Sequence, residues 1–445
     1  MKLLTLAEQR RRFDNLTFAY GAVKDCLFKH QVHDYIPGHA IYNFGEYPRP
    51  VSAAPTEFDE QRLAELASIG VGLIHIHEDW NDAIRVGGAD KYTSTDPKGL
   101  AAFIELCHKN GIKVLPYFST GFFDVRDPDM REEFYHPKRP TLFSRHFTFT
   151  GCDPKSPEWT TFVLEKMKGI LDNHDWDGIY NDMGYPDDAN FIDGYIQNDP
   201  YIEDTMARIY SAVKERGGIV KVHQGACIAP RANTKIYDYL IVGESVADPA
   251  ELRRSATFQP YITPLTDFWF YKGEPDEVFA RTIPFMQFEN RYDGRPFTGE
   301  RITVPGIDYT FNKIDNRMDM YVASKKWYDE HPDGPYTYSE WSSVPDDVAH
   351  RDKWASYMAL YRPMVEENSH VLADITDSTL LLGKKPDSIV MSLFVNSECY
   401  LVVSNVGEKP QKVTLAEEWI DRESGKPVRE LTLGKCELSF LVKPQ

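Results

Sequence analysis

The chain has 445 residues, 68 of them acidic and 50 basic, for a formal net charge of −18. That excess repels a polyanion at long range, so a nucleic-acid partner is not expected. Hydrophobic residues make up 42 % and charged residues 27 %, a globular composition, and no stretch approaches the roughly 18 apolar residues of a membrane span, so no membrane partner is expected.

The N-terminal segment places Leu3, Leu4 and Leu6 ahead of Glu8, Arg10, Arg11 and Arg12. A secretory signal has the opposite order, positive charges first and then a longer apolar run, so a cytoplasmic location is expected. The cysteines at 26, 107, 152, 227, 399 and 436 are scattered without a C-x-x-C pair, which reads as reduced thiols and no structural zinc. No cofactor motif is present. Aromatic residues at 13 % suit stacking on sugar rings, and equally a large aromatic core.

From residue 56 a helix-strand unit recurs. Thr56 and Asp59 have capping-box spacing, Leu63, Leu66 and Ala67 share a helical face, Gly70 stops the helix, and Val71 to Ile76 reads as a buried strand. Asp96-Pro97 opens a second helix carrying Leu100, Phe103, Ile104 and Cys107, closed by Asn110-Gly111 and followed by the strand Ile112 to Phe118. Ser156-Pro157 opens a third, with Trp159, Phe162, Val163, Met167, Ile170 and Leu171 on its packed face, leading to a strand at Gly178 to Asn181. A fourth carries Met206, Ile209, Tyr210 and Val213, ends at Gly217, and feeds Ile219 to His223, with another strand expected at Tyr239 to Gly243.

Repeated helix-strand units imply parallel strands joined by crossover helices. An open doubly wound sheet and a closed barrel both satisfy that pattern. The barrel is favoured because no G-x-G-x-x-G turn follows any strand and because long insertions, 119–155, 183–200 and 245–282, follow successive strands. The first strand is expected at Leu16 to Ala22 or Ala40 to Phe44, and the last strands at Phe285 to Phe288 and Ile302 to Val304. After a helical stretch over 352–368, short Val-, Leu- and Ser-rich runs at Thr379 to Leu382, Ser388 to Val395, Tyr400 to Ser404 and Leu438 to Val442 predict antiparallel strands. The expected organisation is a (β/α)8 barrel over 1–372 and a C-terminal antiparallel β-sandwich over 373–445.

Active sites of such barrels lie at the carboxyl ends of the strands. His75, His77, Glu78, Asp79 and Trp80 follow one strand, Asn181 and Asp182 end another, His223 and Gln224 a third, and Glu244 follows Tyr239 to Gly243. Asp182 and Glu244 are the candidate catalytic pair. Glycosidic cleavage needs one ionised carboxylate as nucleophile or base and one protonated carboxyl as acid. A lone strand-end carboxylate also serves as a helix cap or ion-pair partner. His77, Glu78, Asp79, Trp80, Tyr117, Asn181, His223, Gln224, Asp267 and Trp269 are the candidate substrate-binding residues, with Trp341 a further aromatic platform and Glu289 a further carboxyl. Arg126, Arg145 and Arg253 lie in the insertions, where they could clamp an anionic sugar or form surface ion pairs. Acidic residues concentrated at strand ends favour a neutral, hydroxyl-rich or cationic substrate.

The segment Trp176-Asp177-Gly178-Ile179-Tyr180-Asn181-Asp182-Met183 resembles the nucleophile motif D-G-x-W-x-D-M-N-E of the α-glucosidase and α-xylosidase family, glycoside hydrolase family 31. Tyr180 replaces the Trp, and Gly184-Tyr185 replace the final Asn-Glu. The strand Gly111 to Tyr117, and Cys152-Asp153-Pro154 with Ser156 to Trp159, are similar to the wider, clan D-like group of α-galactosidase and α-glucosidase barrels. The resemblance implies a fourth-strand nucleophile at Asp182, an acid at Glu244 where that group usually has Asp, and a small-molecule or oligosaccharide substrate with an α-linked terminal sugar. Two other readings stay open. His75-x-His77 with His223 could begin the metal site of a metal-dependent hydrolase, although no metal is assigned. The barrel could also bind carbohydrate without turnover. Nothing in the sequence opposes a homo-oligomer.

Overall fold

The computed structural model describes residues 4–44, 52–77, 80, 92–94, 96–124, 127, 129–136, 141–143, 148–182, 190–192, 195–197, 200–223, 236–242, 260–265, 275–296, 330 and 348–445. Helix α1 (Leu6–Ala22) starts at a capping box. The Glu8 amide donates to Thr5 Oγ1 at 3.2 Å and the Thr5 amide donates to Glu8 Oε2 at 2.7 Å, satisfying two amides that a helix start otherwise leaves open. Leu16 to Ala22 is therefore helical and leads into β1 (Val23–Gln31), which lies outside the barrel; of the two places expected for the first barrel strand, it forms at the second, over Gly38–Asn43.

The chain then runs through β2 (Gly38–Asn43), α2 (Glu57–Ser68), β3 (Val71–Ile76), α3 (Pro97–Lys109) and β4 (Lys113–Ser119). A small antiparallel sheet of β5 (Phe122–Asp124), β6 (Thr141–Phe143) and β7 (Thr148–Gly151) occupies the first long insertion. There follow α4 (Pro157–Asn173), β8 (Gly178–Asp182), the pair β9 (Asn190–Ile192) and β10 (Tyr195–Gln197), α5 (Pro200–Lys214), β11 (Ile219–His223) and β12 (Tyr239–Val242). Then come β13 (Ile262–Pro264), α6 (Pro275–Thr282), β14 (Arg291–Gly294) and α7 (Val348–Tyr361). The helix starts fall where the caps predict, at Thr56, Asp96 and Ser156, whose side chains accept from the amides of Asp59, Gly99 and Trp159.

Eight strands pair in the order β13-β12-β11-β8-β4-β3-β2-β14, every pairing parallel. This is chain order with the last strand set beside the first. The remaining seam is bridged by the Asn290 amide, which donates to the Pro264 carbonyl at 2.7 Å. The fold is thus a (β/α)8 barrel. Strand seven lies inside what the sequence suggested was an insertion, and strand eight is Arg291–Gly294. The expected strand at Phe285 to Phe288 begins instead as a 3-10 turn, Ile283–Phe285, closed by Met286 at φ 58°. Its apolar residues are continuously buried, and such short runs look alike whether helical or extended. Ile302 to Val304 lies outside the described residues.

The C-terminal strands are β15 (His370–Ser378), β16 (Ile389–Val395), β17 (Cys399–Asn405), β18 (Gln411–Asp421), β19 (Pro427–Leu433) and β20 (Leu438–Val442). With β1 they form an antiparallel sheet ordered β1-β15-β16-β17-β20-β18-β19, so the start of the chain supplies an edge of the C-terminal unit. The run expected as a strand at Thr379 to Leu382 forms a single antiparallel β-bridge, Leu381 to Leu415, with the Leu382 amide donating to the Thr414 carbonyl and the Ala416 amide to the Leu380 carbonyl, each at 2.8 Å. One side of the sheet packs Leu393, Val395, Leu401, Val403 and Trp419 into a second core with Ala19 and Ala22 of α1. Phe394, Tyr400, Val402 and Phe440 belong instead to the barrel core. That double burial explains why β16 and β17 read as unbroken apolar runs, each buried along its whole length. Ser404 Oγ donating to the Ala280 carbonyl at 2.7 Å, and Arg422 Nη1 donating to the Leu360 carbonyl at 2.6 Å, tie the sheet to the barrel helices.

Candidate active site

Residues two apart on a strand share a face, so each lumenal position names its neighbours. Tyr117 on β4, Tyr180 on β8 and Lys221 on β11 are in register. Two residues further along β8 and β11, at the carboxyl ends, stand Asp182 and His223. The Tyr180 hydroxyl donates to Asp182 Oδ2 at 3.3 Å, and His223 Nδ1 lies 3.9 Å from Oδ1. His77, just past β3, meets the Tyr117 ring edge-on at 5.1 Å, and Tyr117 meets Tyr180 edge-on at 5.7 Å. The Asp182 side chain is 19 % exposed and that of His223 9 %. The carboxylate thus stands at the mouth of the barrel with aromatic rings behind it.

Deeper in the lumen, Lys221 Nζ donates to Asn290 Oδ1 at 2.9 Å and lies 3.3 Å from His75 Nδ1. The His75 ring lies 3.9 Å from that of Tyr180 with 30° between the planes. Lys221, His75 and His39 are wholly buried. Burial pushes the Lys221 amine well below the ordinary amine range. Burial, and then the neighbouring Lys221, push His75 and His39 well below the usual histidine value.

The motif around Asp182 is partly architectural. Asp177 accepts from the Val114 amide at 2.8 Å, from His108 Nε2 at 2.8 Å and from Lys113 Nζ at 3.2 Å, which fixes β8 beside β4. Gly178 has φ +144°, and a Cβ there would sit 1.9 Å from the Ile219 carbonyl oxygen, so only glycine lets β8 and β11 approach.

Of the other candidates, Asn181 faces the helix layer, where its Oδ1 accepts from Thr120 Oγ1 at 3.2 Å and its amide nitrogen lies 3.5 Å from Met206 Sδ. Trp80 is 1 % exposed in the barrel core, with Nε1 donating to the Tyr117 carbonyl at 3.2 Å. Glu289, just before β14, is buried against α7 and pairs with His350 Nε2 at 2.6 Å. Glu78, Asp79, Gln224, Glu244, Asp267, Trp269, Trp341, Arg126, Arg145 and Arg253 lie outside the described residues. Among the described residues, no three His, Cys, Asp or Glu side chains are grouped to hold a metal ion, and Nδ1 of His75 is taken by Lys221. No described helix is long and apolar enough to cross a membrane. Tyr180, Lys221 and Asn290 were not singled out from sequence. The first two were within reach of it, since they precede Asp182 and His223 by one strand period.

No family model matches the chain, and no curated protein matches its sequence. Solved structures do resemble its fold. An α-amylase from Geobacillus thermoleovorans, solved with acarbose, matches at a TM-score of 0.54 and 11 % identity over 92 % of this chain and 98 % of that one. A maltogenic α-amylase from Thermotoga neapolitana matches at 0.54 and 12 %, over 92 % and 99 %. A family 36 α-galactosidase from Geobacillus stearothermophilus, solved with raffinose, matches at 0.53 and 10 %, over 92 % of this chain and 55 % of that one. At such identities the likeness is one of fold.

Proposed function

We propose that the chain is a glycoside hydrolase that cleaves a terminal α-linked sugar, with Asp182 as nucleophile or base and Glu244 as acid. The observation that carries this reading is the position of Asp182. It ends the fourth barrel strand, at the mouth of the lumen, with one oxygen held by the Tyr180 hydroxyl. A hydrogen bond to the charged form favours the carboxylate, the state required of a nucleophile or base. The fold shared with amylases and an α-galactosidase supports the same reading.

In this mechanism Glu244, two residues beyond β12, protonates the departing glycosidic oxygen. Asp182 stabilises positive charge developing at the anomeric carbon, by direct attack or by activating water. His77 and His223 contact the sugar through hydroxyl hydrogen bonds, while Tyr117, expected to bind substrate, is 1 % exposed and instead backs His77 from the core. Glu78, Asp79, Gln224, Asp267 and Trp269 extend that contact from the segments after the strands. Purified Asp182→Asn and Glu244→Gln variants on a panel of aryl α-glycosides test the assignment. Both are expected to lose turnover by about 10²-fold or more; undiminished turnover in both overturns it.

A further inference from the structure

The hydrolase reading uses Asp182 but leaves unexplained a lysine sealed in the barrel beneath it. Lys221 is wholly buried, and its Nζ meets His75 Nδ1 at 3.3 Å and Asn290 Oδ1 at 2.9 Å. A neutral amine, with two hydrogens and a lone pair, satisfies both contacts. An ammonium would place a third N–H and a full charge among aromatic rings, and burial disfavours that form strongly. The contact of Lys221 Nζ with Nδ1 at 3.3 Å holds that edge of the His75 ring and so fixes the ring plane.

The orientation is rigid from below. Asn290 is itself anchored at the barrel seam, where its backbone N–H donates to the Pro264 carbonyl. From Lys221 the contacts run upward without a break. The His75 ring lies 3.9 Å from Tyr180, Tyr117 closes on Tyr180 edge-on at 5.7 Å, and the hydroxyl of the clamped Tyr180 donates to Asp182 Oδ2. Tyr180 is 3 % exposed and His75 wholly buried, so neither ring can be replaced by solvent.

We propose that Lys221 and His75 are positioning residues for Asp182, acting through Tyr180: Lys221 sets the plane of the His75 ring, the ring holds Tyr180, and the Tyr180 hydroxyl orients the carboxylate. The role of the carboxylate rests on the hydrolase reading; the positioning chain does not, and its test reads the carboxyl group itself. In full-length protein labelled with 13C-aspartate, the Asp182 carboxyl resonance is identified by its loss in Asp182→Asn and titrated in Tyr180→Phe, Lys221→Met and the double variant. Tyr180→Phe removes a donor to the charged form, so its midpoint is expected to rise by about half to one pH unit. Lys221→Met is expected to raise it by less, and the double variant to match Tyr180→Phe, because an effect routed through a hydroxyl vanishes with that hydroxyl.

An unchanged midpoint in Lys221→Met overturns the proposal. So does a double variant whose shift is the sum of the two singles, which would mean that the amine acts through space. Should Lys221→Met fail to fold, His75→Leu, which fills the volume without a planar face, is expected to give the same non-additive rise, and its absence likewise overturns the chain. A wild-type protein that cleaves no glycoside while its carboxyl responds as described defeats the hydrolase reading and leaves the positioning chain standing.

Discussion

Tyr180 and Asp182, two residues apart on β8, share the lumenal face, and the tyrosine hydroxyl donates to the carboxylate at 3.3 Å. Strand alternation alone brings them together. The bond fixes the orientation of the carboxylate at the strand end.

If Asp182 attacks the sugar directly, removing its side chain leaves a space beside His223 that a small external carboxylate can enter. Asp182→Ala is expected to lose about 10²- to 10⁴-fold in turnover on an activated aryl α-glycoside. Formate is expected to restore part of that turnover, with inverted product configuration by NMR. A variant as active as the wild type would remove Asp182 from the mechanism.

Gly178→Ala should cost stability without touching any lumenal side chain. The new methyl meets the Ile219 backbone at 1.9 Å, on a residue at φ +144°. The β8–β11 pair must then separate, at a cost of about 3 kcal/mol or more. Urea denaturation of the two proteins measures this directly, and a difference under about 1 kcal/mol would mean that the strands can adjust.

Asp59, in the first turn of α2, is wholly buried, with Arg295 contacting both its oxygens at 2.8 to 3.0 Å and Tyr42 donating at 2.6 Å. Burial pushes its carboxyl up, but the bonds from Arg295, Tyr42 and the Thr56 amide outweigh this and hold it below the ordinary value. A carboxyl lowered in the native state contributes stability above its unfolded pKa of about 3.9 and loses it as pH falls through the native value. Acid unfolding should therefore show a contribution below about pH 4 that is absent in Asp59→Asn. Arg295→Ala leaves the carboxylate buried and unpaired and should cost about 3–5 kcal/mol at neutral pH.

The buried Lys221 predicts a slope of the same sign in a higher pH range. Its native pKa is lowered, so between that value and about 10.4 the unfolded chain binds a proton that the native protein does not. Stability then rises with pH, by up to about 1.4 kcal/mol per unit. Unfolding free energies from pH 7 to 9 should rise in the wild type relative to Lys221→Met; parallel curves would mean that the amine is charged in the fold.

Deleting residues 1–31 removes α1 and β1 and exposes the edge of β15, paired over Gln31↔His370 to Val23↔Ser378. An uncovered edge strand is a template for association. The truncated chain is expected to lose thermal stability and to aggregate on light scattering at concentrations where the full chain does not.

The repeating units and their caps are legible in the sequence, because helix starts and amphipathic spacing are local and each carries its signal within a few residues. Thr56, Asp96-Pro97 and Ser156-Pro157 mark three helices where they occur, and Asp182 could be named because it ends a strand inside a motif. Strands seven and eight could not be read. They are three and four residues long and owe their place to closure of the ring, through pairings with Leu240 to Val242 and with Ala40 to Asn43. The membership of β1 in the C-terminal sheet joins residues more than 300 apart in sequence, a pairing no local pattern encodes. The lumen followed the same division. Period-two alternation puts Tyr180 with Asp182 and Lys221 with His223, but only closure brings β3, β8, β11 and the seam residue Asn290 within hydrogen-bonding reach. It is that closure that turns an ordinary-looking lysine into a buried amine beneath a carboxylate.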